Sequence, residues 1–233
     1  MFYGGYFNPT YFIFVLPALA LAFYAQAKVK SAYAKWGQVR NMRNLTGLDA
    51  AHMILGPEGL GDVQVEGIAG QLTDNYDPRT KILHLSQGVA QQPSVAALAV
   101  TAHEIGHALQ DHTNFAPLKL RGAIVPAVQV SSWVAPIMFF IGLFLHFTGL
   151  AWLGIILFSA GAVFALITLP VELDASRRGL RLLQVYSLAD GRELDGAKSV
   201  LNAAALTYGA ALAQTLATLL YYVTLLGGFG RRR

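Results

Sequence analysis

No cysteine occurs in the 233 residues of this chain. Disulfide bonds, thiolate metal ligands and a cysteine nucleophile are thereby excluded, so a metal ion could bind only through histidine and carboxylate side chains. Charged residues are also few: they make up 13% of the chain, whereas hydrophobic residues make up 55%. That composition is too apolar for an ordinary soluble domain and is typical of a membrane protein.

Lys, Arg, Asp and Glu are absent from three long stretches, residues 1–27, 122–171 and 199–230. A transmembrane helix needs about 20 apolar residues, and the middle stretch is long enough for two. Its polar, turn-prone interruption at His146–Gly149 predicts a tight hairpin between them. We therefore predict a mainly α-helical membrane protein with about four transmembrane helices, which lie near residues 8–27, 125–145, 150–169 and 203–226.

Positive charge is concentrated on one side of the membrane in this arrangement. Of the 17 basic residues, 14 lie in residues 28–121 and 169–200. The positive-inside rule thus predicts a multi-pass protein of the bacterial cytoplasmic membrane, with its N-terminus outside and its functional site facing the cytoplasm. The tail Arg231–Arg233 would then lie outside, unless the last helix is tilted or re-entrant. Nothing in the net charge of +4 indicates a nucleic-acid partner.

The segments between the spans are predicted to form a small α+β domain on the cytoplasmic side. They comprise residues 44–120 and 170–202, and no linker separates them from the membrane helices, so residues 1–233 are predicted to be a single domain. Residues 31–43 alternate basic and apolar side chains at roughly helical spacing. This pattern fits either an amphipathic helix on the membrane surface or a continuation of the first span.

Local signals divide the first of these segments into short elements. Thr46 and the turn at residues 56–59 bound a short helix. Strand-forming residues on either side of a turn at residues 74–78 predict a short β-ribbon, whose second strand is Lys81–Ser86. We expect this second strand to be an edge strand. A helix over Val95–Leu109 should follow; its apolar part is too short to cross a bilayer, so we expect it to be buried within the domain.

That helix carries the motif His103-Glu104-Ile105-Gly106-His107. Histidines four residues apart project from one helix face, because four steps of about 100° leave them about 40° apart. Both imidazoles can therefore bind one zinc ion. Glu104 lies beside that metal and can take a proton from the attacking water molecule. The pattern thus predicts a zinc-dependent hydrolase with Glu104 as its catalytic residue.

A catalytic zinc ion normally has three protein ligands, and Glu172 is the predicted third. It follows the third span closely, and Pro170 is expected to end the membrane helix and start a new one. Asp174 is the rival ligand, but it lies about 200° further round a helix, so both carboxylates cannot face one metal. Ser176 shares the face of Glu172 and could hydrogen-bond a ligand. The alternative is that Glu172 pairs with a nearby arginine, Arg177, Arg178 or Arg181.

The segments 101–110, 170–176 and 201–208 resemble the small neutral zinc metallopeptidases of the YugP type, and the likeness extends over most of residues 60–220. More distantly, the chain is similar to the membrane peptidases that include HtpX and the prenyl-protein endopeptidase. The resemblance implies a zinc endopeptidase with a gluzincin-like domain and Glu172 as third ligand. It also implies that the strand at 81–86 binds an extended peptide, through Ile82, Leu83, His84 and Leu85.

One position departs from that wider group. Its members usually place an aspartate four residues after the ligand glutamate to hold a ligand histidine, whereas this chain has Ser176 there. The resemblance therefore implies the metal ligands more firmly than their hydrogen-bond partners. Asn202 and Tyr208 are candidate donors to the oxyanion of a peptidase, although a tyrosine beside a span is also a common interfacial anchor.

Two other functions are compatible with the sequence. Leu194-Asp195-Gly196 is similar to a motif of site-2-type intramembrane proteases, but Ser187 and Asp190 stand where those enzymes carry Asn and Pro. A membrane scaffold stabilised by zinc and lacking catalysis is the second alternative, and it has no use for Glu104. We therefore expect a zinc endopeptidase in the lipid bilayer that acts on peptides or membrane proteins.

Overall fold

The computed structural model describes the backbone of residues 9–230 and the side chains of residues 11–227. Two predictions fall outside the described residues. They are the location of the tail Arg231–Arg233 and the start of the first predicted span at residue 8. Seven helices and three strands are described, in the order α1 Pro9–Gly37, α2 Gly47–Leu55, β1 Gln64–Ile68, β2 Asn75–Asp77, β3 Ile82–Ser86, α3 Gln87–Gln91, α4 Val95–His112, α5 Ala116–Phe144, α6 Thr148–Val185 and α7 Gly191–Gly230.

Four of these helices are long and apolar enough to cross a membrane. They are α1, α5, α6 and α7, which overlap the four predicted spans, so the prediction of a mainly helical protein with four candidate membrane spans is confirmed. The hairpin between the second and third spans is also confirmed. Helix α5 ends at Phe144 and α6 begins at Thr148, and the connection turns through His146, whose φ is +55°. Each helix extends well beyond the predicted apolar span.

Helix α1 continues through Gly37, so the second of the two alternatives for residues 31–43, a continuation of the first span, holds as far as that residue. One predicted helix boundary is wrong. Helix α6 runs without interruption through Pro170, where a break was expected. Proline inside a long membrane helix costs one backbone hydrogen bond, which neighbouring groups can compensate. Pro17, Pro126 and Pro136 likewise lie inside helices, so proline is a poor marker of helix ends in this chain.

The three strands form one mixed sheet with the order β1-β3-β2. Strand β3 pairs parallel with β1 and antiparallel with β2, with Leu83 opposite Val65 on one side and Tyr76 on the other. Two predictions are therefore wrong: residues 75–77 form a strand rather than part of a turn, and the strand at 81–86 is central rather than at an edge. The backbone groups of β3 are already paired on both sides. The central position was not predicted because the parallel partner β1 is not visible in the local sequence pattern.

The chain folds into two compact units. One comprises residues 26–119 and 170–206, and the other comprises the remaining parts of the long helices.

In the first unit, Thr46 caps α2 with a reciprocal capping box shared with Asp49, and Ser94 caps α4. Leu98 and Ile105 of α4 are fully buried in the core of this unit. Helix α4 is thus an interior helix, as its short apolar run predicted.

Helices α4 and α6 are in backbone contact at two positions, where a glycine of one helix packs against the backbone of the other. A Cβ atom at Gly106 would overlap the carbonyl group of Ala175, and one at Gly179 would lie 2.8 Å from the carbonyl carbon and oxygen of Ala102. No larger side chain fits at either position without moving a helix. Gly106 lies between the two motif histidines, so this close approach sets the distance from them to α6.

The variant Gly106→Ala tests that constraint. Alanine favours an exposed helix by about 1 kcal/mol over glycine, but here the added methyl group must push Ala175 away, and overpacking typically costs about 1–3 kcal/mol. We expect a lower free energy of unfolding and a loss of metal binding. Gly122→Ala is the control, since a Cβ at Gly122 meets no atom within 4 Å. Equal stability and metal content in the two variants would contradict the packing argument.

Candidate metal centre

His103, His107 and Glu172 converge in the interior of the first unit. The Glu172 Oε2 atom lies 3.3 Å from His103 Nε2 and 3.5 Å from His107 Nε2. Each residue offers one ligand atom, and these atoms all lie within 4.8 Å of one another. Among the described residues this is the one His and carboxylate group of that kind. Helix α4 presents both imidazoles on one face, and α6 presents the carboxylate opposite them.

The two distances from Glu172 to the histidines fit a zinc ion held between these side chains. Ligands at about 2.0–2.1 Å from a tetrahedral zinc ion lie about 3.3–3.4 Å from one another, which is close to the two separations from Glu172. A charge-assisted hydrogen bond would be shorter, about 2.7–2.9 Å. Two imidazole nitrogens with one carboxylate oxygen are also a common ligand set of catalytic zinc. The donor set and its geometry both match zinc.

The outer nitrogen of His103 faces Ser176. The Ser176 hydroxyl lies 3.1 Å from His103 Nδ1, and Ser176 is buried one helical turn beyond Glu172. A hydrogen bond at Nδ1 fixes the ring and leaves Nε2 available for a metal. The predicted contact of Ser176 with a ligand is therefore present in the structure, in the position that an aspartate occupies in the wider group.

The Nδ1 atom of His107 faces Gln110, a contact that was not predicted from the sequence. His107 Nδ1 lies 3.0 Å from Gln110 Oε1, and Gln110 Nε2 donates to the Val171 carbonyl at 2.8 Å and to Asp174 Oδ2 at 2.9 Å. Because both amide hydrogens are used on α6, the amide oxygen must face His107 and accept from Nδ1–H. Gln110 thus holds His107 in the tautomer whose Nε2 can bind a metal. Its spacing of three residues from His107 was the signal available in the sequence.

Asp174 is not a metal ligand in this arrangement. Its Oδ2 atom accepts from Gln110 and, at 2.6 Å, from Arg178 Nε. Arg178, one of the three arginines that could have paired with Glu172, is thus engaged by Asp174 one turn away along α6. Glu172 is 2% exposed and faces the two histidines. The two carboxylates therefore face different partners, as the helix geometry predicted.

Glu104 lies beside the ligands and is held by the sheet. It is 8% exposed, and its Oε2 atom accepts a hydrogen bond of 3.1 Å from the backbone N–H of Tyr76 in β2. The Tyr76 hydroxyl donates to Asp111 Oδ2 at 2.9 Å, which joins β2 to the last turn of α4. The N–H of Tyr76 therefore points away from β3 and toward the centre. Strand β2 is therefore the edge strand beside the site, whereas the sequence pattern predicted β3 as the edge strand.

Electrostatics at the centre favours a positive charge. Burial alone would lower the pKa of His107, but the contact with Glu172 and the negative charges of Glu104 and Glu172 outweigh it, so the pKa is raised above its ordinary value. The pKa of Tyr76 is also raised, by burial and by its hydrogen bond to Asp111. Tyr76 therefore stays a neutral donor, and the carboxylates favour a cation between them.

The remaining candidates lie elsewhere. Ile82, Leu83, His84 and Leu85 belong to the central strand, so they cannot pair with a peptide through a free edge. Asn202 is exposed on α7 and lines a groove whose described walls include none of the three ligands. Tyr208 belongs to the other unit, and its role as an oxyanion donor stays a prediction. Asp195 also lies on α7, outside the cluster of His103, His107 and Glu172.

Comparison with known proteins links this arrangement to one family. The family model described as "Putative neutral zinc metallopeptidase" matches residues 11–227. A relative from Bacillus subtilis (strain 168), "Putative membrane protease YugP", is 45% identical over 213 residues, which cover 91% of this chain and 95% of that protein. No solved structure matches. The resemblance inferred from the three sequence segments is confirmed.

The variant Gln110→Met tests the role assigned to Gln110. Methionine keeps the volume but cannot hold His107 Nδ1, so we expect zinc affinity to fall about 10- to 100-fold, as is typical when the hydrogen-bond partner of a ligand is removed. Competition with a chromogenic chelator measures the affinity. The control is Thr101→Val, which removes a fully buried hydroxyl from the same helix; Thr101 Oγ1 has no hydrogen-bond partner among the described residues. Equal affinity in both variants would refute the role.

Proposed function

Because the chain belongs to the neutral zinc metallopeptidase family, we propose that it is a zinc-dependent endopeptidase of the membrane that hydrolyses peptide bonds at the cluster on α4 and α6. The convergence of His103 Nε2, His107 Nε2 and Glu172 Oε2 carries this proposal. Motif spacing alone could describe a buried helix with two hydrogen-bonded histidines. A carboxylate facing both rings, with a second carboxylate beside them, supports a hydrolytic metal site instead.

His103, His107 and Glu172 would hold one zinc ion. When bound, zinc supplies a Lewis acid that polarises the scissile carbonyl and makes water more acidic. Ser176 and Gln110 hold the two imidazoles from behind, so their Nε2 atoms stay directed at one point. Three protein ligands are the number that a catalytic zinc site uses, so this set would leave one position for the reacting groups.

Glu104 moves the proton. Its carboxylate accepts a proton from the attacking water while the water oxygen forms a bond to the carbonyl carbon. The carbon–nitrogen bond then breaks, and Glu104 returns the proton to the leaving nitrogen, so it ends the cycle ionised. The hydrogen bond from the Tyr76 N–H directs one carboxylate oxygen toward β2 and leaves the other for this transfer.

The edge of β2 is the position we propose for the substrate backbone. Strand β2 is an edge strand, and the Tyr76 N–H faces Glu104 rather than β3. Its carbonyl group points to the same side, because N–H and C=O of one residue in an antiparallel strand share a direction. Because the Tyr76 N–H already donates to Glu104, an extended peptide that lies along β2 would pair there with the Tyr76 carbonyl. This replaces the role first expected for residues 82–85.

We also propose that this centre faces the cytoplasm and that membrane proteins are among its substrates. The positive-inside rule supports the placement, because the basic residues concentrate in the segments that fold around the site. Sequence proximity supports the substrate class. Glu172 follows the uncharged stretch 122–171 directly, so the centre lies next to the end of a span along the chain. A gluzincin-like arrangement is proposed on the same ligand set.

The variant Glu104→Gln tests the proton transfer. Glutamine keeps the shape but cannot accept a proton, so we expect unchanged zinc content and a fall in peptide hydrolysis of about 10²–10⁴-fold. Hydrolysis of a quenched fluorescent peptide library by the purified, zinc-loaded protein measures the effect. Glu66→Gln is the control, since Glu66 is exposed on β1. Undiminished hydrolysis by Glu104→Gln would refute the mechanism, and an inactive wild-type protein with full zinc content would favour the scaffold alternative.

A pair of isosteric variants tests the identity of the third ligand. Glu172→Gln removes the charge that faces both histidines, so we expect the zinc affinity to fall by more than tenfold. Asp174→Asn, two residues along the same helix, removes a carboxylate that contacts Gln110 and Arg178, and a smaller loss is expected. Chelator competition and thermal unfolding are measured together to separate zinc loss from unfolding. The reverse order of affinities would assign the ligand role to Asp174.

A further inference from the structure

A groove lined by several charged and polar side chains runs between α1 and α7 within the first unit. It has a volume of about 600 Å³, and α1 contributes Lys28, Ser31 and Lys35 to its wall. Helix α7 contributes Asp195, Lys198 and Asn202. These positions recur every three or four residues on each helix, so one face of each helix lines the groove. None of the predicted zinc ligands is among the residues that line it.

Trp36 of α1 lines the groove and packs closely against α7. Trp36 is 7% exposed, and a Cβ atom at Gly196 would lie 2.5 Å from its indole ring, so the two helices are in close contact there. The ammonium group of Lys35 lies 4.9 Å from the centre of the same ring. This cation–π contact holds the Lys35 side chain along the wall of the groove rather than free in solvent.

Positive charge predominates in the groove. Three lysines face one carboxylate, that of Asp195, and hydroxyl and amide groups of the neighbouring residues supply further hydrogen-bond donors. Neither Lys35 nor Lys198 forms an ion pair within the part of the chain that the structure describes. Two ammonium groups are therefore available to an anion that enters the groove.

The sequence puts these lysines at the ends of two spans. Lys28 is the first charged residue after the uncharged stretch 1–27, and Lys198 is the last before the uncharged stretch 199–230. The groove therefore lies at the depth where an apolar helix leaves the hydrocarbon and meets the head groups of the bilayer. Basic pockets at this depth attract anionic lipids, and each lysine near the surface contributes favourably to that attraction.

From these observations we propose that the groove binds the phosphate of an anionic phospholipid head group. Lys35 and Lys198 pair with the phosphate oxygens, and Ser31 and Asn202 donate hydrogen bonds to the remaining oxygens or to the glycerol part of the head group. The shared chemistry is an anionic phosphate group, which a soluble phosphate ester also carries. The membrane is the favoured source because the groove adjoins two spans along the chain.

The experiment compares the unfolding temperature of the purified full chain in zwitterionic detergent with phosphatidylglycerol or phosphatidylcholine added, and native mass spectrometry counts the lipid molecules retained. We expect phosphatidylglycerol alone to raise the unfolding temperature and to remain bound, one molecule per chain. The double variant Lys35→Gln/Lys198→Gln should lose both effects. These lysines are exposed, so the variant should fold, and its own lipid-free unfolding temperature is the reference for its shift.

The control is Lys30→Gln/Lys119→Gln, which removes the same charge outside the groove; Lys30 is on α1 but lines a different cleft. It should keep the response to phosphatidylglycerol. Retention of the full shift and of the bound lipid by Lys35→Gln/Lys198→Gln, or an equal loss in the control, would overturn the proposal. An equal shift with sn-glycerol 3-phosphate at the same concentration would overturn the assignment to a membrane lipid.

Discussion

The close approach of α4 and α6 is the constraint on which the centre depends. The ligands come from two helices about 65 residues apart in sequence, and their ligand atoms can meet only if the helix backbones are nearly in contact. Gly106 and Gly179 permit that contact, one from each helix. A glycine inside the histidine motif is thus as much part of the site as the histidines, although it binds nothing. Its cost in helix propensity is offset by the geometry it allows.

The same crossing explains how the imidazoles are oriented without an aspartate. Ser176 reaches His103 and Gln110 reaches His107, and both partners are neutral. Gln110 in turn is anchored on the Val171 carbonyl and on Asp174, whose charge is balanced by Arg178. The negative charge that faces the ligand nitrogens therefore comes from Glu172 and Glu104. Because the hydrogen-bond partners of both imidazoles are neutral, the negative charge that attracts a cation is located at the position where a metal would bind.

Features with a local or periodic signal could be predicted from the sequence. The four spans followed from uncharged runs, the interior helix from its short apolar stretch, and the two histidines from their spacing of four residues. Ser176 followed from its position one turn after Glu172. Features that depend on distant partners could not be predicted. The central position of β3 depends on a parallel neighbour in β1, and Pro170 lies inside a helix because membrane helices tolerate proline. Tyr76 contributes through its backbone N–H, which leaves no mark in the side-chain pattern.

The account rests on one zinc ion held by residues of α4 and α6. X-ray absorption at the zinc edge, combined with metal analysis of the purified protein, tests this most directly because it reports the ligands themselves. The expected result is one zinc per chain with two imidazole ligands and oxygen ligands at about 2.0–2.2 Å. A zinc content well below one per chain after reconstitution, or a spectrum with fewer than two imidazoles, would contradict it.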